Sequence, residues 1–272
     1  MSNRIAPATS PLKLASIDPR DTGGLNKDDD HLAEDLAQLQ KQIYDLHYLM
    51  YADNRRSLLI ILQGIDASGK DGAVRYLAGG FNPQGLKIHS FKRPSDLELD
   101  HDYLWRIHQA CPGRGEAAIF NRSHYEEVTV AKIHPEILVA EFLPTEIARG
   151  KNIFQQRYQQ IRDFERMLVE NGTVVLKLFL HISKDEQVER LEERMEDPKK
   201  HWKFSRQDLV ERKFWDDYMR AFEEMIDETS TEHAPWYIIP ADRKWYRNLL
   251  IGRIVAGTMK NLKMEYPALP EQ

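Results

Sequence analysis

The stretch SLLIILQGIDASGKDG, Ser57 to Gly72, runs from an unbroken apolar segment straight into a glycine-rich turn. An apolar run of this kind, bounded by a turn signal, predicts a strand covered on both faces. Gly64, Gly69 and Lys70 meet the spacing G-x-x-x-x-G-K, in which glycines let successive backbone N–H groups turn inward and the following helix adds its positive end. With a strand before it and a helix expected after it, the loop comprising Gly64, Ala67, Ser68, Gly69, Lys70 and Asp71 reads as a phosphate cradle. Lys70 is placed to reach phosphoryl oxygens. One position departs from the pattern: Asp71 stands where a hydroxyl residue ordinarily follows the lysine and holds magnesium.

A carboxylate inside an anion-binding loop repels phosphate unless it faces a cation. Mg2+ resolves the conflict, because it takes one or two carboxylates together with substrate phosphates and water. Asp66 is therefore the first metal-ligand candidate, weighed against a local turn-stabilising role. Asp71 is the weaker metal-ligand candidate, since an acid at the helix start also serves as a cap or faces solvent. A second constellation is EAAIFNRSHYEEV, Glu116 to Val128. Its strand ends so that Asn121 and Arg122 emerge beside the loop, as the carboxyl ends of strands do in an open α/β sheet. Asn121 offers a neutral oxygen to a metal, Glu126 adds a formal charge, and Arg122 supplies planar donors to phosphate. The plainer reading of Arg122 is a loop arginine paired with a carboxylate. His124 and Tyr125 read as structural. Lys92 and Arg93 follow a strand ending at Phe91 and are candidates for the wall of a polyanion groove. On the helix from Leu97, Asp102 and Arg106 stand at i, i+4 spacing and read as an ordinary helical ion pair slightly ahead of direct nucleotide contact, and Trp105 carries a face on which a nucleobase stacks, against a plainer core or rim role.

The rest of the chain places these motifs. Strands are expected at Leu58 to Gln63, Lys87 to Phe91, Ala117 to Phe120, Val174 to Leu180 and Trp236 to Ile239, alternating with helices at 70–80, 98–110, 145–171, 184–196, 206–229 and 243–262. The fold class is α/β, a three-layer sandwich around a parallel sheet with a helical excursion at 184–229. Within that excursion, Ser205 and Asp208 have capping-box spacing, with Phe204 and Leu209 as a hydrophobic staple. Residues 1–24 read as an N-terminal arm, and 25–272 as a single domain. Leu32, Leu36, Leu39, Ile43, Leu46 and Met50 form the apolar stripe of a long helix ending near Asn54. That stripe is expected to pack on this chain's own body or on a neighbouring subunit. The lone Cys111 leaves no intramolecular disulfide, and no segment approaches the ~20 apolar residues that span a bilayer, so a soluble, cytoplasmic protein is expected. A net charge of −5 argues against a nucleic-acid-coating surface.

Five segments in this order resemble the polyphosphate kinase 2 family: GIDASGKDG, FKRPSDLELDHDYLWR, FNRSHYEEV, DPKKHWKFSRQDLVERKFWDDY and APWYIIPADRKWY. The resemblance covers about residues 58 to 262. It implies a P-loop kinase-like fold with a helical lid and Mg2+-dependent phosphoryl transfer between inorganic polyphosphate and AMP, ADP or ATP, with guanine nucleotides as further partners. It implies a homo-oligomer, dimer or tetramer. By motif, Asp66 and Lys70 take the phosphate-loop roles and Arg122 the strand-end role, while Arg194, Lys199, Lys200, Lys203 and Arg206 look like the lid positions that meet phosphates. Asn121 stands where the family often has aspartate, and with Glu126 this looks like the subgroup that accepts both AMP and ADP. Two rival readings remain at this level: an ATP-dependent nucleoside monophosphate or small-molecule kinase, and a non-enzymatic polyanion-binding protein.

Overall fold

The computed structural model describes residues 6–141, 143–148 and 150–269. In chain order its main elements are α1 (Leu32–Asp53), β1 (Ser57–Gln63), α2 (Lys70–Ala78), β2 (Leu86–Ser90), α3 (Asp96–Leu99), α4 (Trp105–Ala110), β3 (Ala117–Asn121), α5 (Glu126–Ile133), α6 (Glu136–Ala140), α7 (Thr145–Ala148), α8 (Ile153–Glu170), β4 (Thr173–His181), α9 (Lys184–Glu196), α10 (Arg206–Glu211), α11 (Trp215–Thr229), β5 (Trp236–Pro240) and α12 (Lys244–Lys260). The five strands form one sheet, ordered β2-β3-β1-β4-β5, with every pairing parallel. Every residue of β1 is buried. Helices α1, α2 and α12 pack together on one side, and α5, α8 and α11 on the other. This is the expected three-layer α/β/α arrangement, and each strand lies within two residues of its expected bounds.

The strand order positions the site. From β1 the chain passes outward to β2 and returns through β3, then crosses β1 to β4. The crevice at the carboxyl ends of β1 and β3 is thus the point where the winding reverses, where ligands bind in open α/β sheets. Register pairs Leu62 with Asn121, so the loops after β1 and β3 leave the sheet side by side.

Several helical expectations need correction. The segment 98–110 is two short helices, α3 and α4, and the first opens on a true capping box: Ser95 accepts from the Glu98 amide while Glu98 reaches back to Ser95. Region 145–171 divides at Gly150, and 206–229 passes through a 3-10 turn at Arg212–Phe214. Ser205 caps α10, but through the Gln207 amide, and Asp208 pairs with Arg194 instead of closing the box. Leu209 is exposed. Helices α5 and α6 were not expected at all. Of the expected arm, residues 1–5 lie outside the described residues; the remainder adheres to the body, burying Leu12 and Leu14 and donating their amides to Asp227 and Glu223 on α11. The stripe on α1 faces the core and α12.

One buried polar cluster ties the layers together. Lys177, on β4, donates to Glu165 (2.6 Å), to the Tyr125 hydroxyl (2.9 Å) and to the Thr229 carbonyl (2.7 Å), while Tyr125 donates to Glu165 (2.6 Å). Although burial opposes its charge, Lys177 holds the Glu165 carboxyl below its ordinary range. The cluster joins β4, α8, the end of α11 and the start of α5. Removing one partner strands a buried charge, which costs far more than the pair's net worth. Glu165→Ala is expected to lower unfolding free energy by about 3–5 kcal/mol in chemical denaturation, against about 0.5–1.5 kcal/mol for Ile60→Val nearby.

Candidate active site

The loop after β1 is built by backbone conformations that side chains resist. Gly64 has φ +150°, and a Cβ there would lie 2.7 Å from the Leu180 carbonyl; Gly69 has φ +98°. Ala67 and Arg122, at φ 64° each, are held in the left-handed region without being glycine. Such strain persists where the surroundings over-determine it, commonly at ligand sites. At the opening of α2 no side chain caps the first amides, so these donors are left for an anion.

Lys70 is buried and spans the loop, donating to the Gly64 carbonyl (2.6 Å) and the Ile65 carbonyl (3.0 Å). Burial, with Arg122 adding to it, brings its ammonium down to about 8, while Asp66, Glu126 and Asp71 pull the other way. Arg122 crosses from the neighbouring loop: its guanidinium pairs with Asp66 on one side and with Glu126, at 3.2 Å, on the other. Glu126 first, then Asp66, holds Arg122 firmly in its charged form. Glu126 also accepts from Gln63 at the end of β1. Thus Asp66, Lys70, Arg122 and Glu126 converge, as the sequence reading required.

Other candidates are placed differently. Asn121 donates its amide to Asp71 (2.9 Å), and Asp71 also receives Lys203 of the lid (2.7 Å). Burial opposes the charge on Asp71, yet these two donors hold its carboxyl below the usual range. The Ser68 side chain is buried against Gly64, and its hydroxyl has no partner among the described residues. Arg194 pairs with Asp208 (2.9 Å), and Lys200 with Glu193 and Asp197. Lys199 and Arg206 are exposed, with no ion pair among the described residues. His134, at the end of α5, meets Glu211 of α10 at 2.8 Å and so links the lid to the body.

A cavity of about 550 Å3 opens beside Arg122 and Glu126, with Phe91, Pro94, Leu99, Val130 and Ile137 among its apolar lining and Lys92 and Arg93 at its wall. A smaller space of about 160 Å3 continues from it to Gly64, Ile65 and Asp66 beside Tyr218 and Phe222 of α11. Asp102 and Trp105 line a separate depression with His108 and Phe164, so the structure does not bring them to the phosphate loop. The expected Asp102–Arg106 pair does not form. Asp102 accepts from the Leu104 amide, and Arg106 turns to Glu98, Glu127 and the Lys92 carbonyl, because the helix is broken between them.

Three residues escaped the sequence reading. Gln187 donates to the Asp66 carbonyl (3.0 Å), Arg190 to the Ala67 carbonyl (2.9 Å) and Arg247 to the Gly69 carbonyl (3.1 Å). For Arg247 a signal existed: it interrupts the apolar side of α12, beside Leu250, Ile251 and Ile254.

Comparison with known proteins adds the following. The family model "Polyphosphate kinase 2" matches residues 26–267. The chain is 46% identical over 256 residues to the AMP/ADP-polyphosphate phosphotransferase of Meiothermus ruber, covering 94% of this chain and 91% of that protein. It is 48% identical over 238 residues to the ADP-polyphosphate phosphotransferase of Rhodopseudomonas palustris, covering 88% and 82%. The crystal structure of polyphosphate kinase 2 from Arthrobacter aurescens TC1 superposes with a TM-score of 0.86 at 36% identity, covering 98% of this chain and 91% of that one.

The lowered Lys70 makes anion affinity pH-dependent. Below about 8 the free protein carries the ammonium; above it the cation is lost, and a bound anion drives its reprotonation. Affinity for tripolyphosphate, measured by calorimetry, should hold steady up to about pH 8 and then fall towards about tenfold per pH unit.

Proposed function

The chain belongs to the polyphosphate kinase 2 family, and from that premise we propose that it transfers the terminal phosphoryl group of inorganic polyphosphate to AMP or ADP by direct in-line displacement. The observation that carries this reading is the meeting of Lys70 with the Arg122 pair at the mouth of a cavity of about 550 Å3, large enough for a nucleoside. The donor end lies in the loop Gly64–Lys70, and the acceptor's sugar and base occupy the cavity lined by Phe91 and Pro94. The acceptor phosphate is anionic at neutral pH and needs no strong general base. Catalysis is then positioning and charge neutralisation.

Each role follows from what the side chain now holds. Lys70 exchanges loop carbonyls for phosphoryl oxygens. Arg122 releases Asp66 and Glu126 as the incoming phosphates compete for its guanidinium. Asp66, with the Asn121 side-chain carbonyl oxygen as a neutral second ligand, would hold Mg2+ through hard oxygens. No group of three or more acidic, His or Cys side chains forms a ready metal cage among the described residues, which suits an ion that keeps water and substrate phosphates as most of its ligands. Bound there, Mg2+ would offset charge on donor and acceptor phosphates together. Lys203, Lys199 and Arg206 on the lid face the polymer, and closure over the crevice excludes water, favouring transfer over hydrolysis.

Purified protein given polyphosphate and ADP as the sole phosphoryl source should form ATP; formation from nucleotide donors alone would contradict the assignment. Lys70→Ala should cut kcat by about 10²–10³-fold or more with an unchanged circular dichroism spectrum. Because Glu126 touches both Arg122 and the cavity, Glu126→Asn should hurt the shorter acceptor AMP more than ADP. The expected difference is about tenfold in kcat/KM, roughly 1.4 kcal/mol, and equal losses on both acceptors would remove Glu126 from acceptor selection.

A further inference from the structure

Two buried guanidiniums reach carbonyls of the phosphate loop and line neither of the two cavities beside Arg122. Arg190, from α9, donates to the Ala67 carbonyl (2.9 Å) and the Ala241 carbonyl (2.6 Å), and pairs with Glu186 (2.7 Å). Arg247, from α12, is 4% exposed; it donates to the Gly69 carbonyl (3.1 Å) and to the side chain of Asn248, and has no carboxylate partner among the described residues. The two converge on one glycine. A Cβ on Gly69 would lie 2.2 Å from Arg247 Nη1 and 3.2 Å from Arg190 Nη1. Burial first, then the neighbouring Arg190, brings the Arg247 guanidinium down to about 10, so it remains charged at neutral pH.

A buried guanidinium facing only neutral oxygens, beside a like charge, is expensive. It is tolerated where an anion arrives within range to offset it. Gly72 reports the same arrangement independently. It lies in the first turn of α2, where no positive φ demands glycine and where alanine would favour the helix, yet a Cβ there would lie 2.9 Å from Arg247 Nη2. The second glycine of GKDG is therefore the space into which the guanidinium fits.

We propose that Arg247 is a positioning residue for the phosphoryl donor: seated between Gly69 and Gly72, it fixes the loop and projects an unbalanced positive charge through it onto polyphosphate. This rests on the reading that the loop Gly64–Lys70 holds the donor. Arg247 is almost fully buried, so its field acts through a medium of low dielectric and is stronger than that of a surface lysine. The effect falls on the donor, because the acceptor cavity is lined by other residues.

The test uses the full chain with three substitutions. Arg247→Met removes charge at roughly constant length, Arg247→Lys keeps it, and Gly72→Ala leaves the arginine intact while displacing it. Arg247→Met should raise KM for polyphosphate about tenfold and leave KM for ADP within about twofold; Arg247→Lys should recover most of the loss. Gly72→Ala should raise polyphosphate KM in the same direction, with an apo thermal midpoint unchanged or higher, an outcome that a merely structural glycine would not give. Wild-type polyphosphate KM in both Arg247→Met and Gly72→Ala would overturn the proposal, and so would Arg247→Lys as damaging as Arg247→Met. If Arg247→Met does not fold, the other two variants decide. Stabilisation by tripolyphosphate, followed as the shift in thermal midpoint, reads the inference apart from turnover. A wild-type protein that binds tripolyphosphate but transfers nothing would strike the functional reading; an unaltered shift in Gly72→Ala would strike this one.

Discussion

Lys70, Arg122, Arg190 and Arg247 crowd around one short loop, and the local structure depends on how their mutual repulsion is contained. Carbonyl oxygens do much of that work: Gly64 and Ile65 hold Lys70, Ala67 holds Arg190, and Gly69 holds Arg247. Such contacts orient a cation without neutralising it. Acids supply the rest, Asp66 and Glu126 for Arg122 and Glu186 for Arg190. The left-handed backbone at Ala67 and Arg122 is held by the same contacts, so charge and strain are restrained together. On the proposed function, phosphate is the ligand that relieves both, so that the loop's stability and its affinity are two readings of one balance.

The scaffold makes this crowding affordable. Parallel strands buried on both faces bring β1 and β3 into register, and the Lys177–Glu165–Tyr125 cluster fixes the start of α5, one residue before Glu126. The acids that hold Arg122 thereby come from the loop after β1 and the first turn of α5, each anchored in the core. The arm at 6–24 adds contacts to α11, the helix whose Tyr218 and Phe222 line the crevice. Packing far from the chemistry therefore sets the position of groups that would otherwise drift by the ångström that phosphoryl transfer does not tolerate.

The sheet was legible because strands covered on both faces carry unbroken apolar runs, and SLLIILQ and TVVLKLFLH have little competing interpretation. Helix α5 was not legible: EEVTVAKI is rich in β-branched residues and is packed by α8 and α11, so it shows no polar stripe from which a 3.6-residue period stands out. The break between α3 and α4 was also hidden, since His101 and Trp105 stack across it with ring centroids 4.1 Å apart, the contact that an unbroken helix would have suggested. The site was half visible. Residues in local motifs, Asp66, Lys70 and Arg122, could be read from spacing, whereas Arg190 and Arg247 reach the loop from 123 and 178 positions away in the chain. Pairings at that separation leave no motif, and the one local trace is the cation at Arg247 interrupting the apolar side of α12.

The acid that follows the loop lysine gains a definite meaning from these contacts. Asp71 does not turn inward to replace the missing hydroxyl; it turns towards Asn121 and receives Lys203 from the lid. It is a strut between the loop, the neighbouring strand and the lid. That arrangement also bears on residue 121. The Asn121 amide donates to Asp71 at 2.9 Å, so an aspartate in its place would set two carboxylates at that separation, and each would disfavour the other's ionised form unless a cation lay between them. An asparagine lets Asp71, the strand end and Lys203 meet without setting two carboxylates against each other. In a chain carrying aspartate there, the same meeting would require the metal or a rotation of Asp71 away from the strand. The identity of residue 121 is thus coupled, through Asp71, to how the segment carrying Lys203 rests against the loop.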